Sequence, residues 1–227
     1  MAWRNRNVGQ TADAVAIQAS AQRLSTQLRQ HTRDCHRRAE QAGVIREIVR
    51  GTLSRAAYAL YLRNLHPMYQ TLEQRLAPWR GDTMRQALAD PALSRSPALE
   101  NDLRRIAGQD WQTQLPIVAA GRIYASRVAG ASTPQLVAHA YVRDRGDLNG
   151  GRLMPRMLGR ALTLPADSMA FYDFPGLPSV TDCQARFKAA LDAAVATHEA
   201  AAVLAEAQRA FDLNIALAEA VQAACRT

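Results

Sequence analysis

Gly146-Asp147-Leu148-Asn149-Gly150-Gly151 places three glycines within six residues, between two stretches, 135–145 and 152–164, that read as helix. Neither flank shows the β-branched alternation of a strand. A glycine inside a helix costs roughly 1 kcal/mol relative to alanine. Three of them make sense in a core helix if it must bend, or if something must lie against its backbone where no Cβ fits. Gly, Asp and Asn are also turn formers, so on the residues alone a plain loop between two helices fits equally well.

The surroundings favour helix throughout. The 227 residues are rich in Ala, Leu, Arg and Gln, aromatics make up only 6%, and no window alternates β-branched residues, so an all-α fold is expected. Apolar spacing predicts helices over about 25–41, capped by Ser25 and carrying His36, and over 44–49, ending at Gly51. A long helix follows over 55–76, opened by Thr52 and Ser54 and disturbed at Pro67. A loop at 78–82 and short helices over 83–89 and 96–107 lead to a helix over 110–127, and Pro134 opens the one that carries the glycines. A short helix over 167–173, one over 184–197 capped by Thr181 or Asp182, and a last one over 199–224 complete the chain. Residues 1–21 read as a weakly periodic leader and 22–227 as one domain without repeats.

Charge and composition exclude several classes. No apolar run reaches membrane-spanning length and no signal peptide is evident, so a cytoplasmic chain with no membrane anchor is expected. Cys35, Cys183 and Cys225 are far apart and odd in number, which fits free thiols better than a zinc site or disulfide framework. The net charge of +8 is carried almost wholly by arginine, and Lys188 is the single lysine. The arginines are scattered along every helix, mostly as solvated faces, rather than gathered in a stripe with aromatics, which argues against a nucleic-acid partner.

Five histidines are present, but no Glu-x-x-His of a di-iron bundle and no His-Glu-x-x-His of a zinc protease. Gly-x-Ser-x-Gly and phosphate-binding loops are also missing. His36 has Glu40 four residues on, where a carboxylate can fix the tautomer of a metal-ligating imidazole. On spacing alone a surface His–Glu pair is the commoner outcome. Tyr69, likewise, fits a core aromatic with a satisfied hydroxyl.

The wording of four separated segments adds a resemblance. Tyr141-Val142-Arg143-Asp144-Arg145 followed by the glycine stretch resembles the distal-helix signature of haem oxygenases. The segment 28–40, ending His36-Arg37-Arg38-Ala39-Glu40, resembles their proximal helix. Phe171-Tyr172-Asp173-Phe174-Pro175 with Ala185-Arg186-Phe187-Lys188, and Ala210-Phe211-Asp212-Leu213-Asn214-Ile215, are similar to their C-terminal segments. The resemblance spans about 24–224. It implies an all-helical fold with haem between a proximal helix and a kinked distal helix.

The resemblance also implies roles. His36 would be the axial ligand to haem iron, with Glu40 beside it. Gly146, Gly150 and Gly151 would let the distal backbone approach the haem, with Tyr141 on the same helix. Asp147 would order water for proton delivery, supported by Arg143 and Tyr69. Arg29 and Lys188 would meet the propionates and Phe211 would pack near the haem. The implied reaction uses O2 and external electrons, from a ferredoxin or flavoprotein reductase. Attack of a ferric hydroperoxide on a meso carbon then gives biliverdin, CO and ferrous iron. Three departures stand out: Asp192 where a second basic residue is common, Asp144-Arg145 before the glycine, and Asn149 for serine. The first bears on how haem would sit in its plane. A haem-storage protein of the same fold is the alternative, though storage needs no distal aspartate.

Overall fold

Helices follow the apolar spacing, and no strand occurs among the described residues of the computed structural model, 22–150, 154–162, 164 and 167–226. The expected leader, 1–21, and Gly151 lie outside them. The first elements are α1 (Leu24–His31) and α2 (Arg33–Glu40), in place of the single helix expected over 25–41. Thr32 separates them (φ −99°, ψ 2°). Its hydroxyl donates to the Leu28 carbonyl at 2.7 Å, the kind of local side-chain bond that perturbs a helix. Ser25 is not the cap. It lies buried within the first turn, and its backbone N–H donates to Asp192 Oδ1 at 2.8 Å.

α3 (Gly43–Arg50) ends on Gly51 in the left-handed conformation that a helix C-terminus favours. α4 (Arg55–Leu76) starts at Ser54, whose hydroxyl accepts from the Ala57 N–H at 3.1 Å. Tyr58, Leu62, Leu65, Tyr69 and Leu72 turn inward as their spacing predicts, and the helix runs through Pro67 unbroken. α5 (Ser96–Ala107) is as expected. The helix expected over 110–127 is two, α6 (Trp111–Gln114) and α7 (Ala119–Ala129). Pro116 is the cause: it has no N–H and forces Leu115 into an extended conformation. Asn64 on α4 satisfies the gap, accepting from the Val118 N–H at 2.8 Å and donating to the Pro116 carbonyl at 3.1 Å. Residues 83–89 and 167–173 hold only 3-10 turns, Gln86–Leu88 and Ala170–Tyr172, and the loop expected at 78–82 is the 3-10 turn Ala77–Gly81.

α8 (Thr133–Gly150) decides between the two readings of the glycine stretch: helix continues through Gly146 to Gly150. The connection to α9 (Met154–Ala161) lies outside the described residues. α10 (Val180–Ala193) is capped by Ser179, which accepts from the Asp182 N–H at 3.1 Å, rather than by Thr181 or Asp182. The last helix, α11 (Ala200–Ala224), packs along α8, α3 and α2, while α4 packs against α5 and α7. One long helix thus backs both α2 and α8, which brings them to a common cavity. No helix among the described residues is long and apolar enough to cross a membrane.

Candidate active site

A cavity of about 470 Å3 opens between α2, α3, α8, α9 and α11. That size suits a small-molecule site, and so does its lining, mostly apolar with a few convergent polar groups. Ile45, Val49, Val142, Met154, Met157 and Phe211 supply the apolar surface; His36, Arg143, Gly146 and Asp147 supply the polar and open positions. α2 contributes His36, whose Nδ1 stands 3.3 Å from Glu40 Oε1, the pairing expected from i,i+4 spacing. A carboxylate there favours the tautomer with the lone pair on Nε2. The Phe211 ring meets the imidazole edge-on, centroids 5.9 Å apart.

α8 contributes the other polar cluster, and there the buried network is denser than sequence spacing suggested. Asp147 is 6% exposed. Tyr69 donates its hydroxyl to Asp147 Oδ2, Arg143 Nη2 lies 3.4 Å from Asp147 Oδ1, and Arg143 Nε donates to the Tyr69 hydroxyl at 3.0 Å. Arg143 Nη1 also donates to Asn214 Oδ1, and Asn214 Nδ2 donates to the Tyr124 hydroxyl at 3.3 Å. Burial pushes the Asp147 carboxyl above its ordinary range, opposed by the Arg143 cation and the Tyr69 hydrogen bond. Burial also pushes the Tyr69 phenol well up, so it remains a donor. Tyr69 stands behind Asp147 and does not line the cavity.

Arg29, Tyr141 and Lys188 come together elsewhere, around a second cavity of about 130 Å3 shared with Ser25, Thr26, Leu148 and Gln184. Tyr141 is buried with its hydroxyl 3.2 Å from Thr32 Oγ1. The two cations of this cavity suit the carboxylates of an amphipathic ligand. Gly146 lines the main cavity; Gly150 ends α8, and Gly151 falls outside the described residues. Sequence reasoning did not single out Tyr61, Asn214, Ile45, Val49, Met154 and Met157 as lining residues. Apolar residues at helical spacing look alike whether they face a core or a ligand, so no local signal marked most of them. Arg95, which sequence reasoning did not single out, is buried, as is Arg143 beside Asp147.

Comparisons with known proteins agree with this geometry. The family model described as Heme oxygenase matches residues 22–220. The rat heme oxygenase 1 is 33% identical over 91% of this chain and 74% of its own length. The heme oxygenase 1 of Synechocystis is 30% identical over 85% of this chain and 82% of its own. Among solved structures, that of heme oxygenase-1 from Synechocystis in complex with heme superimposes with a TM-score of 0.83 at 28% identity, covering 89% of this chain and 94% of its own. The heme oxygenase of Leptospira interrogans gives a TM-score of 0.81 at 30% identity, covering 87% and 99%. With a family model matched over nearly all of the described residues and an all-α fold shared with these structures, the chain belongs to the haem oxygenase family.

Proposed function

We propose that this chain is a working haem oxygenase, which uses O2 and external electrons to open haem to biliverdin with release of CO and ferrous iron. Residues 22–227 would act as one domain. The observation that carries the reading is the occurrence in one cavity of an imidazole on α2 and a buried, hydrogen-bonded carboxylate beside a glycine on α8. A site for storage alone has no use for the second.

Haem serves as both substrate and cofactor, supplying an iron that activates O2 next to the ring to be cleaved. The residues present fit it. His36 would hold the iron through Nε2, without the electron push of a thiolate. Arg29 and Lys188 would take the propionates, with Tyr141 bordering them. Gly146 would leave room for haem to approach the α8 backbone, and Phe211 packs against the His36 imidazole. One lone pair on each Asp147 oxygen is engaged by Tyr69 or Arg143, and the remaining pairs would accept from water in the cavity. Protons would reach the reacting oxygen through that water.

Electrons must come from a separate protein, for which we propose a cytoplasmic ferredoxin or flavoprotein reductase. The net charge of +8 suits an acidic donor. The deciding experiment titrates the protein with haemin and then supplies a reductant under air. Stoichiometric binding followed by loss of the Soret band, with biliverdin and CO formed, is expected. Asp147→Ala should bind haemin as the parent does and yield little biliverdin. Undiminished turnover in that variant would remove the role given to Asp147, and binding without ring opening in the parent would leave a storage protein.

A further inference from the structure

Two buried charges outside the Asp147 network stand behind the wall of the cavity. Asp102, on α5, is fully buried, and Arg95, just before α5, is 4% exposed. Both act on the short segment that forms one wall of the cavity. Asp102 accepts from the Ala170 N–H at 2.9 Å and the Phe171 N–H at 2.8 Å. Arg95 Nη1 donates to the Phe171 carbonyl at 3.2 Å and the Asp173 carbonyl at 2.6 Å, and its guanidinium lies 3.8 Å over the Phe174 ring. The N–H and the C=O of Phe171 are therefore each held by a charged side chain.

The same pair is tied to the helix that carries Tyr69. Glu73, one turn beyond Tyr69 on α4, accepts the Arg95 N–H at 2.5 Å and the Ser96 N–H at 2.9 Å, and the Ser96 hydroxyl as well. Phe171 in turn sets its ring edge against Tyr69, centroids 5.5 Å apart, and Tyr172 lies 4.9 Å beyond it. A closed circuit results, from Tyr69 along α4 to Glu73, across to Arg95, and through Phe171 back to the Tyr69 ring. Burying an arginine and a carboxylate is unfavourable unless every polar atom finds a partner, and a single 3-10 turn can be held by neutral groups. The two charges are accounted for if the position of the Phe171 ring must be rigid.

We propose that Arg95, Asp102 and Glu73 are positioning residues for the distal carboxylate: they lock Phe171 against Tyr69, and so fix the angle at which the Tyr69 hydroxyl donates to Asp147. The Arg95 cation adds to this, since its field favours the ionised form of Asp147. The inference rests on the haem oxygenase reading, and its test separates the two.

Asp102→Asn keeps side-chain volume while turning one acceptor into a donor that faces a backbone N–H, and Glu73→Leu removes the carboxylate that accepts the Arg95 and Ser96 N–H groups. Each is compared with the parent for haemin affinity, for the pH midpoint of the ferric haem spectrum, and for biliverdin formed per electron consumed. The expected result is haemin affinity within about threefold of the parent. The pH midpoint moves by about half a unit or more, and the yield per electron falls about tenfold, as loss of an outer orienting partner typically gives. Parental midpoint and yield in a folded variant overturn the proposal. So does a loss of affinity that accounts for the whole loss of yield, because the wall then only shapes the cavity. If Asp102→Asn fails to fold, Glu73→Leu, at a half-buried position, decides alone. Absence of ring opening in the parent defeats the haem oxygenase reading instead.

Discussion

Replacing Gly146 by alanine should move stability and haem binding in opposite directions. Gly146 sits inside α8 and lines the main cavity, and a Cβ built there meets no heavy atom within 4 Å. In the ligand-free protein the methyl therefore enters open space. The substitution recovers the helix propensity lost to glycine, about 1 kcal/mol, which for a chain of this size raises the melting temperature by about 2–4 °C. With haem bound as proposed, the same methyl would stand between the α8 backbone and the ligand. Forcing one methyl into a filled site costs about 1–3 kcal/mol, or about 5- to 150-fold in haemin affinity.

Calorimetry of the haem-free protein and a haemin titration test both halves. Gly43→Ala is the control, because Gly43 has φ +43° and a Cβ there would collide with the Ala218 carbonyl, so this variant should melt lower. A Gly146→Ala protein that melts lower than the parent, or binds and degrades haemin equally well, would refute the placement of the ligand against α8.

Asp192→Ala should cost about 1 kcal/mol, as loss of a helix cap does, since Asp192 Oδ1 accepts the Ser25 N–H in the first turn of α1. α1 also carries Arg29 to the smaller cavity, so the ratio of biliverdin isomers should shift; an unchanged ratio would dissociate this cap from haem orientation. Glu206 provides a pH test: burial works against its charge, but hydrogen bonds from Arg127 and His139 hold its carboxyl down at about 2, from an ordinary 4.5. A depressed folded-state value contributes stability above about pH 4.5 that is lost as pH falls through about 2. Melts of the parent and Glu206→Gln should therefore differ at neutral pH and converge toward pH 2, and a constant gap would contradict the assignment. If the net charge of +8 draws an acidic donor, turnover should fall steeply with added salt. A rate indifferent to ionic strength would argue against an acidic donor.

The helices that could be located from sequence were those whose apolar spacing agreed with their punctuation. Ser54 and the inward row from Tyr58 to Leu72 marked α4, and Gly51 closed α3. Boundaries went astray where a local residue competed with that pattern. Thr32 breaks the proximal helix in two, and Pro116 splits the stretch from 110 to 127. Ser25 looked like a cap because serine prefers that position, yet the acceptor comes from Asp192, 167 residues away. No spacing rule can anticipate a cap supplied by another helix.

The candidate site divides in the same manner. His36 with Glu40 was legible because i,i+4 spacing places the pair on one helical face before any tertiary contact forms. Arg143 beside Asp147 came only from the family resemblance, although the two share the same spacing. The glycines signalled that α8 carries an unusual demand on its backbone. That Tyr69 reaches Asp147, that Asn214 completes the Arg143 network, and that Arg95 and Asp102 hold the Phe171 wall were decided only by tertiary structure. A buried arginine and a solvated one read alike in a sequence, because burial is a property of what the other helices bring to the same place. Local chemistry along one helix belongs to the sequence, whereas the cavity belongs to α11, which holds α2 and α8 to a common site.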